Sequence, residues 1–171
     1  MLSEKIITLL NEQINKELYS AYLYLDMANY YHSVNLDGYE NWFFIQAQEE
    51  RDHAMLMRTY LLNNDAEVVL SEIAAPNETY EDFAQPLQKT LAHEQLVTAS
   101  INHIYMEAVK ENDIRTMKFL DWFVTEQGEE EKNATDLIGR FELFGKDPNG
   151  LYALDLEYAA RVYAAPSLVL T

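Results

Sequence analysis

A chain of 171 residues that is 49% hydrophobic is long enough to build one sizeable core, and its 5 glycines and 4 prolines form no linker. The formal net charge of −17 opposes binding to nucleic acid phosphates and anionic membrane surfaces, so cations are the favoured small partners. The absence of cysteine excludes disulfides and thiolate metal sites, and any metal must bind oxygen and imidazole. We predict a single domain over residues 1–171.

The N-terminal stretch MLSEKIITLLNEQ is charged within five residues and has helical periodicity, unlike a secretory signal. No apolar run approaches the length of a transmembrane helix. We therefore expect a cytoplasmic protein that binds neither nucleic acid nor membrane.

The first half of the chain predicts two antiparallel helices. Apolar residues recur at helical spacing from Ser3, which can cap the first helix, to about His32. A second helical pattern runs from about Leu36 to Leu62 and stops at NNDAE. Residues 64–81 lose the periodicity, and a connection of this length must cross over the bundle.

The second half predicts two further helices. Because Pro86 is tolerated only in a first turn, the third helix should begin at about 82–85, and it should end near residue 111. Asp113 can cap a fourth helix that stops near Gly145. Its apolar stripe consists of Leu120, Val124, Ala134, Leu137 and Phe141.

The residues after the fourth helix exceed what a four-helix bundle requires. KDPNG is predicted as a turn, followed by one short helix of about ten to fifteen residues and an apolar tail after Pro166. The surplus apolar residues predict an interface, and they are Leu151, Leu154, Leu156, Tyr158 and Val162. The expected fold is all-α: a four-helix bundle over about residues 3–145, with a long crossover between helices 2 and 3, and a C-terminal helix and tail over about 150–171.

Each of the four bundle helices has a polar interruption in phase with its apolar stripe. The interrupting residues are Glu17, Glu50 with His53, Glu94, and Gln127 with Glu130. Glu17 lies 33 residues before Glu50, and Glu94 lies 33 residues before Gln127. Adding 77 to positions 17, 50 and 53 gives positions 94, 127 and 130, so the pattern of the first half repeats in the second. This spacing predicts a pseudo-twofold pair of helical hairpins whose polar side chains meet in the core.

A metal pair explains why these carboxylates face inward. Isolated carboxylates in a bundle core would each cost several kcal/mol, and their repulsion would add to that unless protons or cations were present. Glu50 and His53 lie on one helix face, so an imidazole and a bridging carboxylate can reach the same ion. Mixed oxygen and nitrogen ligation favours iron or manganese over structural zinc.

Single features of this pattern have ordinary explanations. A lone Glu-x-x-His is weak support for a metal site, and the run GEEEK at 128–132 is by itself typical of a solvated acidic face. Tyr24 lies two turns beyond Glu17, where it can hydrogen-bond a metal-bound carboxylate or serve as a core aromatic. The remaining histidines have no phased acidic partners and are predicted to be structural or exposed: His32, His93 and His103. The four phased interruptions together carry the metal prediction.

Five stretches carry a family resemblance: LNEQINKELYSAYLY (10–24), AQEERDHA (47–54), AHEQLVTASIN (92–102), FLDWFVTEQGEEEK (119–132) and GLY (150–152). Over nearly its full length the chain resembles the non-haem bacterial ferritins, which have a ferritin-like bundle with one long crossover. Gly128 departs from the family pattern, and a mid-helix glycine costs roughly 1 kcal/mol relative to alanine.

The resemblance implies a di-iron site with a third iron site nearby. The first iron would bind Glu17, Glu50 and His53, and the second would bind Glu50, Glu94 and Glu130, with Glu50 bridging. Tyr24 and Gln127 would be the catalytic residues beside these ligands. The third site would use Glu49, Glu126, Glu129 and Glu130, and three of these four positions share one helix face.

The implied function is iron storage and detoxification. As a ferroxidase, the protein would oxidise Fe(II) with dioxygen or hydrogen peroxide and store ferric oxo-hydroxide inside a homo-oligomeric shell of 24 subunits, with the fifth helix around the fourfold axes. We expect iron and no haem. A haem-containing bacterioferritin would repeat Glu-x-x-His at Gln127 and Glu130 and would place Met at Arg51.

Three further classes of protein are compatible with parts of the pattern. A DNA-protecting miniferritin would place its iron site between subunits and would lack the fifth helix. A di-iron redox enzyme acting on an organic substrate would stop at about two irons per chain. A purely structural bundle would bind no stoichiometric Fe(II).

Overall fold

The computed structural model describes residues 1–170. Its helices are α1 (Glu4–Ser33), α2 (Asp37–Asn63), α3 (Gln85–Lys110), α4 (Ile114–Phe144) and α5 (Pro148–Ala159). The predicted all-α fold is confirmed, with its long crossover between helices 2 and 3 and its short fifth helix. Within residues 1–170, no helix has both the length and the apolar character needed to cross a membrane.

Side-chain caps fix where three helices begin. The side chain of Ser3 accepts a hydrogen bond from the backbone N–H of Ile6 at 3.2 Å, and α4 has an equivalent cap from Asp113. The side chain of Asp147 accepts a bond from the Gly150 N–H at 2.9 Å, and Pro148 occupies the first turn of α5. The predicted KDPNG turn is therefore shorter than expected, because its last three residues already belong to α5.

The connection between α2 and α3 runs back along α1. Near its start, the Asn11 side chain donates a hydrogen bond to the Glu67 carbonyl at 3.0 Å. Near its end, the Tyr80 hydroxyl donates to the Asp26 carboxylate at 3.1 Å. The chain therefore returns to the end of the bundle where α1 finishes, and α3 runs antiparallel to α1.

The apolar core has two parts, one toward each end of the bundle. One part includes Ile14, Met57, Ile101 and Phe123, and the other includes Phe43, Leu87, Leu137 and Leu154. The assignment of Val124 to the core was wrong, because its side chain is 42% exposed while Phe123 is 1% exposed. Phe123 precedes the buried Gln127 by four residues and so shares its face, whereas Val124 is turned about 100° away.

Helix α5 packs across the beginning of α2 and caps it. Leu36 precedes α2 and provides no side-chain cap, but the Asp155 carboxylate accepts hydrogen bonds from the backbone N–H groups of Gly38 at 2.8 Å and Tyr39 at 3.0 Å. A Cβ atom at Gly38 would lie 1.7 Å from the Asp155 carbonyl oxygen. Glycine is required at position 38 because the two backbones approach so closely.

Two of the helical glycines, Gly38 and Gly128, are expected to respond to alanine in opposite directions. Gly38→Ala should lower the unfolding temperature, because α5 has to move away from α2. Gly128→Ala should stabilise α4 by about 1 kcal/mol, since within residues 1–170 no atom lies within 4 Å of the new Cβ, leaving aside its chain neighbours and the helix's own nearby backbone. Thermal unfolding followed by circular dichroism measures both variants, and shifts of the same sign would contradict this account.

Candidate metal centre

The polar residues that interrupt the four helical stripes are all buried at the middle of the bundle. Each is at most 5% exposed: Glu17, Glu50, His53, Glu94, Gln127 and Glu130. They lie between the two parts of the apolar core, and each of the four bundle helices contributes at least one of them. Helical phase therefore predicted the burial of every one of these side chains correctly.

The residues predicted to hold the first iron lie together. Glu17, Glu50 and His53 each offer a ligand atom within 4.8 Å of the others. Gln13 donates a hydrogen bond to Glu17 Oε1 at 2.8 Å, whereas Oε2 of the same carboxylate is buried with no hydrogen-bond partner in residues 1–170. Buried polar atoms are rarely left without a partner, so this oxygen indicates a place where a cation would fit.

Two of the three predicted ligands of the second iron are linked by an amide. Gln46 Nε2 donates to Glu50 Oε1 at 3.2 Å and to Glu130 Oε2 at 2.8 Å. The third predicted ligand is Glu94. Among residues 1–170, it does not form a group with Glu50 and Glu130 in which one ligand atom from each residue lies within 4.8 Å of the others. The assignment of this set to the second iron remains a prediction.

Glu94 is oriented by the two residues predicted to be catalytic. The Tyr24 hydroxyl donates a hydrogen bond to Glu94 Oε1, and Gln127 Nε2 donates to Glu94 Oε2 at 3.1 Å. Tyr24 is fully buried, and this bond satisfies its hydroxyl. The structure therefore shows the predicted bond to a carboxylate, while a catalytic role for Tyr24 and Gln127 remains a prediction.

The residues of the predicted third site line one cavity of about 210 Å³. This set is Glu49, Glu126, Glu129 and Glu130. His53 lies between this cavity and the first cluster, because its Nδ1 is 3.6 Å from Glu50 Oε2 and its Nε2 is 3.9 Å from Glu126 Oε1. His53, Glu126 and Glu130 form a second group with ligand atoms within 4.8 Å of one another. The two predicted sites are therefore adjacent.

Burial opposes the ionisation of these carboxyl groups. It raises the pKa of Glu17, Glu50 and Glu130 well above the ordinary value, and a neighbouring carboxylate raises each pKa further. Burial also raises the pKa of Glu94. Since metal ligands must be deprotonated, a cation that binds here competes with protons.

These raised pKa values predict how the stability of the metal-free protein varies with pH. A carboxyl whose pKa is higher in the folded state stabilises the fold fully below its unfolded pKa of about 4.3, and this contribution is lost as pH rises through the folded pKa. Glu17→Gln should therefore lose less unfolding free energy than wild type between about pH 5 and about pH 8. It should be at least as stable as wild type at the upper pH.

Urea unfolding of chelator-treated protein measures this difference, with Glu12→Gln as the control because Glu12 is exposed on the same helix. If Glu17→Gln kept the wild-type pH slope, the pKa of Glu17 would not be raised in the core.

The two glutamines that hold these carboxylates were not predicted from the sequence. Gln13 and Gln46 are each 1% exposed or less, and each donates to the glutamate four residues later. The signal was present as Gln-x-x-x-Glu at 13–17 and again at 46–50, separated by the same 33 residues as the glutamates. At these two positions, a glutamine one turn before a buried glutamate is its hydrogen-bond donor.

The other histidines are structural or exposed, as predicted. His93 is partly buried, its ring nitrogen is 2.7 Å from the Ser20 hydroxyl, and burial lowers its pKa to about 4. His32 is exposed and lies 2.9 Å from a carboxylate oxygen of Glu40. His103 is exposed.

A four-helix bundle with one long crossover that buries carboxylates and an imidazole at its centre has the architecture on which helical-bundle proteins build core metal sites. The family described as "Ferritin-like domain" matches residues 7–144. The chain therefore belongs to the ferritin family.

Individual relatives are similar in sequence over almost the whole chain. A Campylobacter jejuni protein named "Bacterial non-heme ferritin" is 41% identical over 155 residues, which cover 91% of this chain and 93% of the relative. A protein of the same name from Escherichia coli O157:H7 is 36% identical over 157 residues, covering 92% and 95%.

Solved ferritin structures are also similar to this chain over almost its whole length. An open pore ferritin from Archaeoglobus fulgidus superposes with a TM-score of 0.93 at 39% identity, covering 95% of this chain and 100% of that one. A closed form of the same ferritin, engineered by site-directed mutagenesis, gives 0.94 at 38% identity, covering 96% and 100%.

Proposed function

We propose that this protein stores iron by oxidising Fe(II) at the buried carboxylate cluster and retaining the ferric product as a mineral. The observation that carries the proposal is the group of Glu17, Glu50 and His53, which is buried and includes a carboxylate oxygen without a hydrogen-bond partner in residues 1–170. The similarity to bacterial non-heme ferritins supports iron storage.

The ligand assignment follows the predicted sets. Glu17 and His53 hold the first Fe(II), Glu94 and Glu130 hold the second, and Glu50 bridges the two at the ~3.5–4 Å separation of two-metal sites. The bridging role fits the central position of Glu50, which lies near Glu17 and His53 and shares the Gln46 amide with Glu130.

Oxidation removes one electron from each Fe(II). Two Fe(II) ions supply two electrons, which with two protons reduce dioxygen to hydrogen peroxide or hydrogen peroxide to two waters. The carboxyl groups release protons when iron binds, because only their ionised forms are ligands. Tyr24 and Gln127 keep Glu94 oriented toward the second iron.

A third iron binds in the adjacent cavity. Glu126 and Glu130 share a group with His53 there, Glu129 is exposed, and Glu49 also lines the cavity. This arrangement connects the buried centre to the surface through carboxylates, so iron that leaves the di-iron site meets oxygen ligands.

Storage also requires an enclosed volume, and we propose a homo-oligomeric shell of 24 subunits. Two apolar surfaces of the isolated chain support association. One is a groove between α1 and α2 where Tyr22 and Phe44 are each 50% exposed. The other lies at the end of α4 and on α5, and it consists of Leu143, Phe144, Tyr152 and Leu156, each more than half exposed.

Anaerobic Fe(II) titration followed by rapid mixing with oxidant tests the oxidation step. We expect saturable binding of about two to three Fe(II) per chain and fast oxidation when either dioxygen or hydrogen peroxide is added alone. The oxidant that gives the faster oxidation is the preferred one. Failure to bind stoichiometric Fe(II) would leave a purely structural bundle. A haem absorption band in the purified protein would instead indicate a bacterioferritin.

A further inference from the structure

The segment after α5 folds back onto the bundle. Residues 160–170, here called the C-terminal strap, follow the last turn of α5. The Asn41 side chain donates hydrogen bonds to the carbonyls of Tyr158 and Arg161, each at 3.1 Å, and so fixes where the strap leaves the helix. Trp122 Nε1 donates to Ser167 Oγ at 2.9 Å and holds the other end against α4. The strap therefore forms one wall of the cavity that contains the predicted third site.

The side chain of Arg161, the second residue of the strap, packs against α2. The Arg161 guanidinium lies 4.4 Å from the ring centroid of Trp42, and its Nη1 donates to the Trp42 carbonyl at 3.0 Å. Its Nη2 donates to Gln46 Oε1 at 3.0 Å and to Glu49 Oε2 at 2.6 Å. Arg161 thus contacts one of the predicted third-site ligands and the glutamine that spans two of the di-iron ligands.

The bond to Arg161 determines how the Gln46 amide is oriented. A guanidinium only donates hydrogen bonds, so the amide oxygen of Gln46 must face it. The amide nitrogen then has to face Glu50 and Glu130, to which it donates at 3.2 Å and 2.8 Å. Without Arg161 the amide is free to rotate, which would remove the donor that holds these two carboxylates together.

We propose that Arg161 is a positioning residue for Fe(II) oxidation, acting through Gln46 on Glu50 and Glu130. This inference rests on the proposed function, because it assumes that these carboxylates hold iron. Lysine cannot replace the arginine fully, since a single ammonium group does not provide the planar fork that binds Trp42 with one nitrogen and Gln46 and Glu49 with another.

Arg161→Ala is expected to slow oxidation of the first irons by about tenfold or more, as is typical when a group that orients a metal ligand is lost. Arg161→Lys should restore only part of the rate. Arg140→Ala is the matched control, because Arg140 pairs with Glu157 through two 2.6 Å bonds and so anchors α5 without contacting Gln46. Its oxidation rate should equal that of wild type.

Two readouts separate positioning from general loosening of the C-terminus. In a double-mutant cycle, Arg161→Ala and Gln46→Ala should be non-additive, with the double variant no slower than the slower single variant. The visible absorption spectrum of bound Co(II), which reports ligand geometry without oxidation, should change in Arg161→Ala and Arg161→Lys and stay unchanged in Arg140→Ala.

The outcomes distinguish this inference from the proposed function. If wild type oxidises Fe(II) but Arg161→Ala behaves like Arg140→Ala, or if the two effects in the cycle add, the positioning role is wrong and the proposed function stands. If wild type binds Co(II) but oxidises no Fe(II), the proposed function fails, and the Co(II) spectra still decide whether Arg161 positions the ligands.

Discussion

Replacing Glu50 with alanine should slow Fe(II) oxidation at least about 100-fold. Even groups that only orient a ligand typically change metal affinity or activity 10–100-fold, and Glu50 is proposed to bind both irons. Its side chain is 1% exposed, forms a close group with Glu17 and His53, and shares the Gln46 amide with Glu130. Stopped-flow absorbance after mixing Fe(II) protein with oxidant measures the rate.

Two controls interpret that result. Glu12→Ala removes an exposed carboxylate from α1 and should oxidise Fe(II) at the wild-type rate. Glu50→Gln keeps the shape of the side chain while removing the ligand charge, so it should be nearly as slow as Glu50→Ala. Rapid oxidation in both Glu50 variants would exclude this residue as a bridging ligand.

The second large effect concerns assembly, and it should follow from Leu156→Arg. On α5, Leu154 and Tyr158 are buried against the chain's own bundle, whereas Leu156 is 55% exposed and Tyr152 is 64% exposed. An exposed apolar patch of this kind marks an interface, and a charge in it would have to be buried on association. We expect the variant to keep its helical circular dichroism while the large particle is lost.

Analytical ultracentrifugation measures the particle, and Gln88→Arg adds the same charge at an exposed polar position of α3 as the control. The Leu156→Arg chain should still oxidise its first irons and then precipitate any excess, because oxidation needs the site and storage needs an enclosed volume. A particle of unchanged size would show that α5 does not form the interface. Deleting all residues after Gly150 would be less informative, since Leu154 and Tyr158 belong to the core and Arg161 contacts Gln46.

The sequence predicted the bundle and the burial of its polar residues because both depend on helical phase. Glu17, Glu50 and Glu94 were placed by counting residues, and no contact had to be known. The start of α5 was predicted too late in the chain, because the helix cap at Asp147 lies within KDPNG, a sequence that is also typical of a turn. In the same C-terminal segment, the surplus apolar residues were predicted to form an interface. Some of them instead belong to the chain's own core.

The contacts of Arg161 could not be predicted from helical periodicity or residue spacing. Its bond to Gln46 joins residues separated by 115 positions in the sequence, and it comes from a segment without helical periodicity. Spacing also cannot assign each carboxylate to a particular iron, since side-chain torsions decide which oxygen faces which ion. The glutamines at 13 and 46 were detectable in principle, because their partners lie one helical turn away.

Iron loading combined with particle sizing tests storage most directly. Purified protein is given Fe(II) in air in large excess over the candidate sites, and soluble iron per chain is measured with the sedimentation of the particle. We expect one large species that keeps far more ferric iron in solution than its binding sites can hold. Uptake that stops at about two or three irons per chain, or a monomer from which the excess iron precipitates, would contradict iron storage.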